Sequence, residues 1–145
     1  MTEAKIVAVC TSETTGVQKT IVPEANVVVG YGLKGDAHGG DWARQVSLLA
    51  NESAEIIRQK GVHVGPGDFG ENVLTEGIEL TSLPIGTRIR LGDVELEVTQ
   101  IGKECHTRCA IYDAAGTCVM PTQGIFCRVI RGGDLKPGMP IERLD

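Results

Sequence analysis

Between Thr87 and Val98 the chain alternates with a period of two. Ile89, Leu91, Val94, Leu96 and Val98 are apolar, and Arg88, Arg90, Glu95 and Glu97 are charged between them. That is the period of a β-strand with one dry and one wet face. Gly92-Asp93, in the middle, is a two-residue turn sequence. If it closes a hairpin, facing residues sum to the same number, so Arg90 stands opposite Glu95 and Arg88 opposite Glu97. Both pairs carry opposite charges, which makes the register self-consistent. The two arginines are therefore expected on a sheet surface and not as ligands. The 145 residues include 19 glycines but only two Phe, two Tyr and one Trp, so the core must be Val, Ile and Leu joined by tight turns. That composition favours strands over helices.

Lys5 to Cys10, Thr20 to Val22, Val27 to Val29, Gln45 to Leu49 and Asn72 to Leu74 are further short runs expected as strands. Gly124 to Ile130 and Met139 to Leu144 complete the set, joined through Arg131-Gly132-Gly133 and a Pro137-Gly138 turn. Leu83-Pro84-Ile85-Gly86 reads as a turn. Gly30, Gly32, Gly35, Gly39 and Gly40 crowd an interval that also holds Asp36, His38 and Asp41, which predicts a loop. One helix is expected, from the polar start Asn51-Glu52-Ser53 to about Lys60. Glu52 and Glu55 complement its positive end, Lys60 its negative end, and Gly61 supplies a left-handed cap. Eight or more short strands with one clear helix (about 51–60) and short helical additions predict a mainly β fold, barrel-like or a barrel-like sandwich. At this length residues 1–145 are expected to form a single domain.

The net charge of -5 argues against a protein that works by neutralising a nucleic-acid backbone. No stretch approaches the roughly 20 apolar residues needed to cross a bilayer, and MTEAKIVAVCTSE reads as a strand rather than a secretory signal. A cytoplasmic location is expected. Five cysteines, an odd count, suit a reducing compartment in which thiols stay free for chemistry. Cys10, Cys118 and Cys127 lie in or beside apolar runs and are expected as small buried residues.

Cys105 and Cys109 differ from these. In IGKECHTRCAI they sit among Lys103, His106 and Arg108, each of which favours a thiolate and so lowers the thiol pKa below about 8.5. Four residues apart on a helical turn they face the same way, which makes Cys109 a natural resolving thiol or second sulfur ligand. His38 is either a metal ligand or acid-base group or an organiser of its loop. Asp36, Asp68 and Glu71 carry oxygen ligands, although acids flanked by glycine more often make turns. His63 is expected to be structural.

The blocks GDAHGGDWARQVSLL, GDFGENVLTEGIEL, LPIGTRIRLGDVELEVTQIGKECHTRCAI and MPTQGIFCRVIRGG, in this order and covering most of the chain, resemble a stand-alone MOSC domain. The family is named for the C-terminal domain of molybdenum cofactor sulfurase. The resemblance implies a MOSC-type β-barrel-like fold and places the family cysteine at Cys105, which would carry sulfur as a persulfide or ligate molybdenum. It also implies cofactor contacts from Lys103 and Arg44, from Ser53 at a helix N-terminus suited to phosphate, and from Asn72. Arg108 near Cys105 and His38 in its glycine-rich loop are added as candidate contacts from their own setting. An arginine that accompanies that asparagine in cofactor-binding relatives is replaced around Gly70. The cofactor implied is the molybdenum cofactor, molybdopterin. No pyridoxal phosphate site is recognisable in this chain, so sulfur would come from a separate donor such as a cysteine desulfurase. A molybdenum enzyme or cofactor-synthesis protein would then receive it. Two alternatives stand beside this function. One is a non-catalytic module that binds and delivers the cofactor. The other is a thiol-metal site in which Cys105 and Cys109, with Cys118 or His106, hold zinc, although the C-x3-C and C-x8-C spacings are uncommon for it.

Overall fold

A computed structural model describes residues 4–13, 18–37, 39, 40, 42, 45–102 and 124–144. Within them lie eleven strands, one α-helix and one 3₁₀ turn. The strands are β1 (Lys5–Thr11), β2 (Thr20–Val22), β3 (Ala25–Val28), β4 (Gly32–Leu33), β5 (Val46–Ala50) and β6 (Val73–Glu76). They continue with β7 (Arg88–Leu91), β8 (Val94–Ile101), β9 (Ile125–Arg131), β10 (Gly133–Leu135) and β11 (Ile141–Leu144). The helix α1 spans Asn51–Arg58, and the 3₁₀ turn spans Leu80–Ser82.

Eight strands form one sheet in the order β11-β7-β8-β9-β5-β6-β1-β2, and β10-β3-β4 form a second. The fold is mainly β, as the composition requires. The large sheet is not a closed ladder, so the expected barrel is not seen as such. Among the described residues one bridge, Lys5 to Pro140, ties β1, the strand next to the end strand β2, to the approach to β11 at the other end, with Ile6 and Ile141 N–H groups bonding the carbonyls of Met139 and Ala4.

The burial pattern explains why some strands alternate and others do not. In β7 and β8, Ile89, Leu91, Val94, Leu96 and Val98 enter one core while the charged residues face out. All five residues of β5 are buried, because the strand is covered on both faces. Val46, Leu48 and Ala50 join the larger core, which the small sheet closes with Ala25, Val27, Leu33 and Leu135. Leu49 faces the other way, onto Ala54 and Ile57 of α1, Leu74 and Phe126. A strand dry on both faces has no reason to alternate. In β1 the register shifts between Ile6 and Ala8, so Ile6 and Val9 share the larger core while Ala8 and Cys10 face the helix side. A bulge of this kind is the physical reason the period-two rule fails there.

The hairpin register is as the charges require: Arg88 pairs with Glu97, Arg90 with Glu95. The ion pairs are distributed differently. Arg88 reaches Glu97 at 3.7 Å, and Glu97 also takes Arg128 from β9 at 2.9 Å. Arg90 turns to Glu142 on β11 at 2.6 Å. Each arginine chooses between strands on both sides, which a hairpin considered alone does not contain.

Three elements differ from expectation. The glycine-rich interval contains β4, and the Arg131-Gly132-Gly133 connection runs into β10. Both are short strands whose pairing with β3 supplies the stability that their sequences lack. The helix ends at Arg58 rather than near Lys60. Its last turn tightens, with Lys60 and Gly61 N–H groups bonding the carbonyls of Ile57 and Arg58, and Gly61 follows at φ +84°. An eight-residue helix is marginal alone. Ala50 precedes it without a side-chain cap, so what holds it is the burial of Ala54 and Ile57.

Gly67 (φ +86°) lies against the segment before β2, where a Cβ would stand 2.1 Å from the Lys19 carbonyl oxygen. Gly35 has the same φ but open space around it. Gly67→Ala is expected to cost on the order of 3 kcal/mol or more, through backbone displacement. Gly35→Ala is expected to cost only about 1 kcal/mol of left-handed strain. Urea unfolding of the two variants checks this, and equal costs would contradict it.

Candidate functional site

The segment with the two distinctive cysteines leaves the sheet at the end of β8 and returns at the start of β9. Gly102 donates its N–H to the Gly124 carbonyl at 2.7 Å, and Ile101 faces Ile125, which also faces Leu48 of β5. Both ends of residues 103–123 are therefore anchored at the sheet end where β5 runs into α1. Cys105 follows Gly102 by three residues, and three residues span at most about 11 Å. Cys105, Cys109, Lys103, Arg108, Arg44 and His38 lie outside the described residues, as do Cys118 and His106.

At the same sheet end a cleft of about 370 Å³ opens beside the start of α1. Ala50, Ser53, Gly77, Ile78 and Leu80 line it, with Glu52 and Glu79 at its walls. Ser53, in the first turn of α1, is buried on the cleft wall. The charge is less accommodating. Neither of the two carboxylates suits a phosphate, although Glu52 Oε2 is held by the Gly77 N–H at 2.8 Å. No cation lines the cleft among the described residues. The described wall offers the positive end of a helix and by itself does not fit a phosphate dianion.

Asn72 occupies a different place. It lies beside Ser47, three steps before Ala50 and therefore on the order of 10 Å back along β5. It has no exposed surface. Its Oδ1 accepts the Ser47 N–H at 3.0 Å and the Ser47 hydroxyl at 3.1 Å, and its Nδ2 donates to the Cys10 carbonyl at 3.2 Å. Its own carbonyl accepts the Cys10 N–H at 2.7 Å. The side chain thus bridges β1 and β5 in the interior, and Ser53 and Asn72 are not neighbours.

Around Asn72 is a buried polar cluster that the sequence pattern did not disclose. Lys19 Nζ and Asp36 Oδ1 form an ion pair at 2.7 Å with both side chains at 0% exposure. Ser12 donates its N–H to Asp36 at 3.0 Å and accepts from Lys19 at 3.1 Å. Burial alone would raise the Asp36 carboxyl, but bonds from Lys19, Ser12 and the Asn72 amide outweigh it and hold the group below its ordinary value. Nothing in the spacing of Lys19 and Asp36 reveals this pair, since only the third dimension brings them together.

The other acids make turns, as glycine-flanked acids do. Asp68 accepts the Gly65 N–H at 2.8 Å; Glu71 accepts those of Gly67 at 2.9 Å and Phe69 at 3.2 Å. Among the described residues no group of three or more His, Cys, Asp or Glu is arranged to hold a metal. Cys10 and Cys127 are buried free thiols, as expected. Burial, reinforced by the Glu71 charge, pushes the Cys10 thiol up to about 12, and burial also raises Cys127. Thiols held protonated are poor nucleophiles. Arg88 and Arg90 are exposed in surface ion pairs and His63 is exposed beyond the helix exit.

This architecture, a mainly β domain with one helix among its described residues and a cysteine-bearing connection between β8 and β9, defines a class that comparison with known proteins identifies. A family model described as the MOSC domain matches residues 34–142. The chain belongs to the MOSC domain family. The crystal structure of the YUAD protein from Bacillus subtilis is similar over 98% of this chain and 96% of that one, with a TM-score of 0.81 and 23% identity. YiiM from Geobacillus stearothermophilus gives a TM-score of 0.73 at 18% identity, over 98% of this chain and 75% of that one. YiiM from Escherichia coli gives 0.65 at 21%, over 97% and 70%. At these identities the structures show a shared fold. No curated protein matches the sequence. Among the described residues no helix is long and apolar enough to cross a membrane.

Burial disfavours the Glu71 carboxylate more than its N–H donors favour it, and Asp68 adds repulsion, so the group stands at about 7 against an ordinary 4.5. The native state then keeps a proton that the unfolded chain loses. The contribution is complete below pH 4.5 and is lost as the pH rises through 7, a loss on the order of 3 kcal/mol. Asp36 acts in the opposite sense, with stability present above about pH 3.8 and lost as the pH falls through its depressed value. Thermal unfolding between pH 4.5 and 7.5 should therefore show a decline that flattens in Glu71→Gln. An unchanged slope in that variant would remove Glu71 as its source.

Proposed function

We propose that this protein is a molybdenum-cofactor-related sulfur-handling domain that carries sulfur on Cys105. The observation that carries the proposal is the Gly102–Gly124 hydrogen bond, which brings together the chain on either side of residues 103–123 at the sheet end that also holds Ser53 and its cleft. The family match covers that segment, and the family takes its name from molybdenum cofactor sulfurase. Cys105 is set among Lys103, His106 and Arg108, cations that favour a thiolate, whereas the described thiols Cys10 and Cys127 are held protonated in the core.

The chemistry is sulfur exchange. The Cys105 thiolate attacks the terminal sulfur of a donor protein's cysteine persulfide. A new S–S bond forms at Cys105, the donor's S–S bond breaks, and the donor leaves as its thiolate. No change in total oxidation state and no external oxidant is involved. Cys109 would resolve the persulfide by attacking the Cys105 sulfur, which forms a Cys105–Cys109 disulfide and releases hydrosulfide, and a dithiol reductant would then restore both thiols. Lys103 and Arg108 would stabilise the anion and supply the counter-charge that the walls with Glu52 and Glu79 lack, so that the positive end of α1 at Ser53 would orient a phosphate, with Arg44 and His38 as further contacts. Asn72 would contribute through position, by holding Ser47 and Cys10. When bound, the molybdenum cofactor would supply the metal that receives sulfur or takes the Cys105 thiolate as a ligand, for which a soft thiolate is suited. A cysteine desulfurase is the fitting donor class, and a molybdenum enzyme or cofactor-synthesis protein the fitting recipient.

Intact-mass spectrometry after incubation with a cysteine desulfurase and cysteine tests the proposal. The wild type should gain the mass of one sulfur atom, reversibly with reductant, and Cys105→Ser should gain none. Titration with purified cofactor distinguishes the alternatives. Cys105-dependent binding without sulfur uptake would mark a binding and delivery module. Stoichiometric zinc with neither response would mark a thiol-metal site.

A further inference from the structure

The Lys19–Asp36 pair ties together three segments that are not neighbours in sequence. Asp36 ends the turn that follows β4; Lys19 precedes β2; Ser12 follows β1. Beyond the pair itself, the Ala37 N–H bonds the Ser12 carbonyl at 2.8 Å, and the Tyr31 hydroxyl donates to the Asp36 carbonyl at 2.9 Å. The bonding continues into the glycine-rich loop. The same Asp36 carbonyl accepts the Gly39 N–H at 3.1 Å, and the Gly40 N–H reaches the Tyr31 carbonyl at 2.7 Å. Asp36 also receives a bond from the Asn72 amide, which fastens the cluster to β1 and β5.

The loop held in this way forms one wall of a second cleft. Val29, Gly30 and Trp42 face Glu97, Thr99 and Arg128 of β8 and β9 across about 460 Å³. Leu33 anchors β4 in the core, but beyond it little apolar burial holds this wall, for Val29, Tyr31 and Trp42 are all exposed. A fully buried ion pair is a weak source of net stability compared with apolar residues of the same shape. It does fix geometry, because a buried charge tolerates no displacement from its partner.

We propose that the Lys19–Asp36 pair is a latch that positions the glycine-rich residues following β4 (Asp36, Ala37, Gly39, Gly40 and Trp42) beside the β8–β9 cleft, acting on their placement more than on the stability of the sheets. The proposal is independent of any role for Cys105. It assigns Lys19 and Asp36 as positioning residues for whatever the cleft receives. It also accounts for a charged pair in a place where apolar residues would be equally stable.

The test separates the loop from the fold. In Asp36→Asn the Lys19 ammonium loses the counter-charge to which it is bonded, and the melting temperature should fall by about 10 °C. In Lys19→Met/Asp36→Asn the charges are removed together and the amide oxygen can still accept from Ser12, so most of that loss should be recovered. Hydrogen exchange at Gly39 and Gly40 in the double variant should nevertheless be at least ten-fold faster than in the wild type, with β5 and β8 amides unchanged relative to global stability. Wild-type exchange rates at those two glycines in a folded double variant would overturn the latch. Should the double variant not fold, the wild type decides. The amides of Ser12, Ala37, Gly39 and Gly40 should exchange as one unit, and exchange at the glycines more than a hundred-fold faster than at Ser12 would equally overturn it.

Discussion

The double burial of β5 is the constraint on which the rest of the structure depends. The strand pairs in parallel with β6 and antiparallel with β9, and it presents Val46, Leu48 and Ala50 to one core and Leu49 to the other. Both faces must be covered, so one side requires the small sheet and the other requires α1. With no face left for water, the strand cannot slip by one residue without exchanging the contents of the two cores. The direction of β5 then decides the rest. Its end delivers α1 and Ser53 to the sheet end at which β8 and β9 open, and its start lies beside Asn72 and the buried charges.

That polarity divides the molecule chemically. One end combines a helix N-terminus, a cleft and the anchors of the segment with Cys105 and Cys109. The other is a closed polar interior in which Asn72, Ser47, Asp36, Lys19 and Ser12 satisfy one another. Such interiors are costly when incomplete and rigid when complete. The contrast among cysteines follows the same division. Cys10 and Cys127 lie within the apolar and acidic interior and stay protonated, while the charged neighbours of Cys105 set it apart in sequence.

Residues whose neighbours lie on the same local element were legible from the chain. The β7–β8 hairpin and its register followed from alternation and charge, and the acids of the second glycine-rich loop, Asp68 and Glu71, were readable as turn formers. Residues defined by distant partners were not. β4 and β10 have almost no strand character of their own and exist because β3 lies between them. Arg90 belongs to Glu142 because β11 arrives on its other side. Asn72 could be singled out by its motif, yet its burial and its bonds to Cys10 and Ser47 depend on residues 62 and 25 positions away.

The sequence by itself determined the class of fold, the hairpin at its centre, the family and the two cysteines on which sulfur chemistry would rest. These are encoded in periodicity, turn residues and local charge, all of which act over a few bonds. Only the tertiary structure decided that Ser53 and Asn72 are separated along β5, that Lys19 and Asp36 meet without water, and that the large sheet is tied by one bridge rather than closed. Those outcomes depend on which faces cover one another. Burial is a property of the packed whole, and it gives a lysine or an asparagine a role that its neighbours in sequence do not specify.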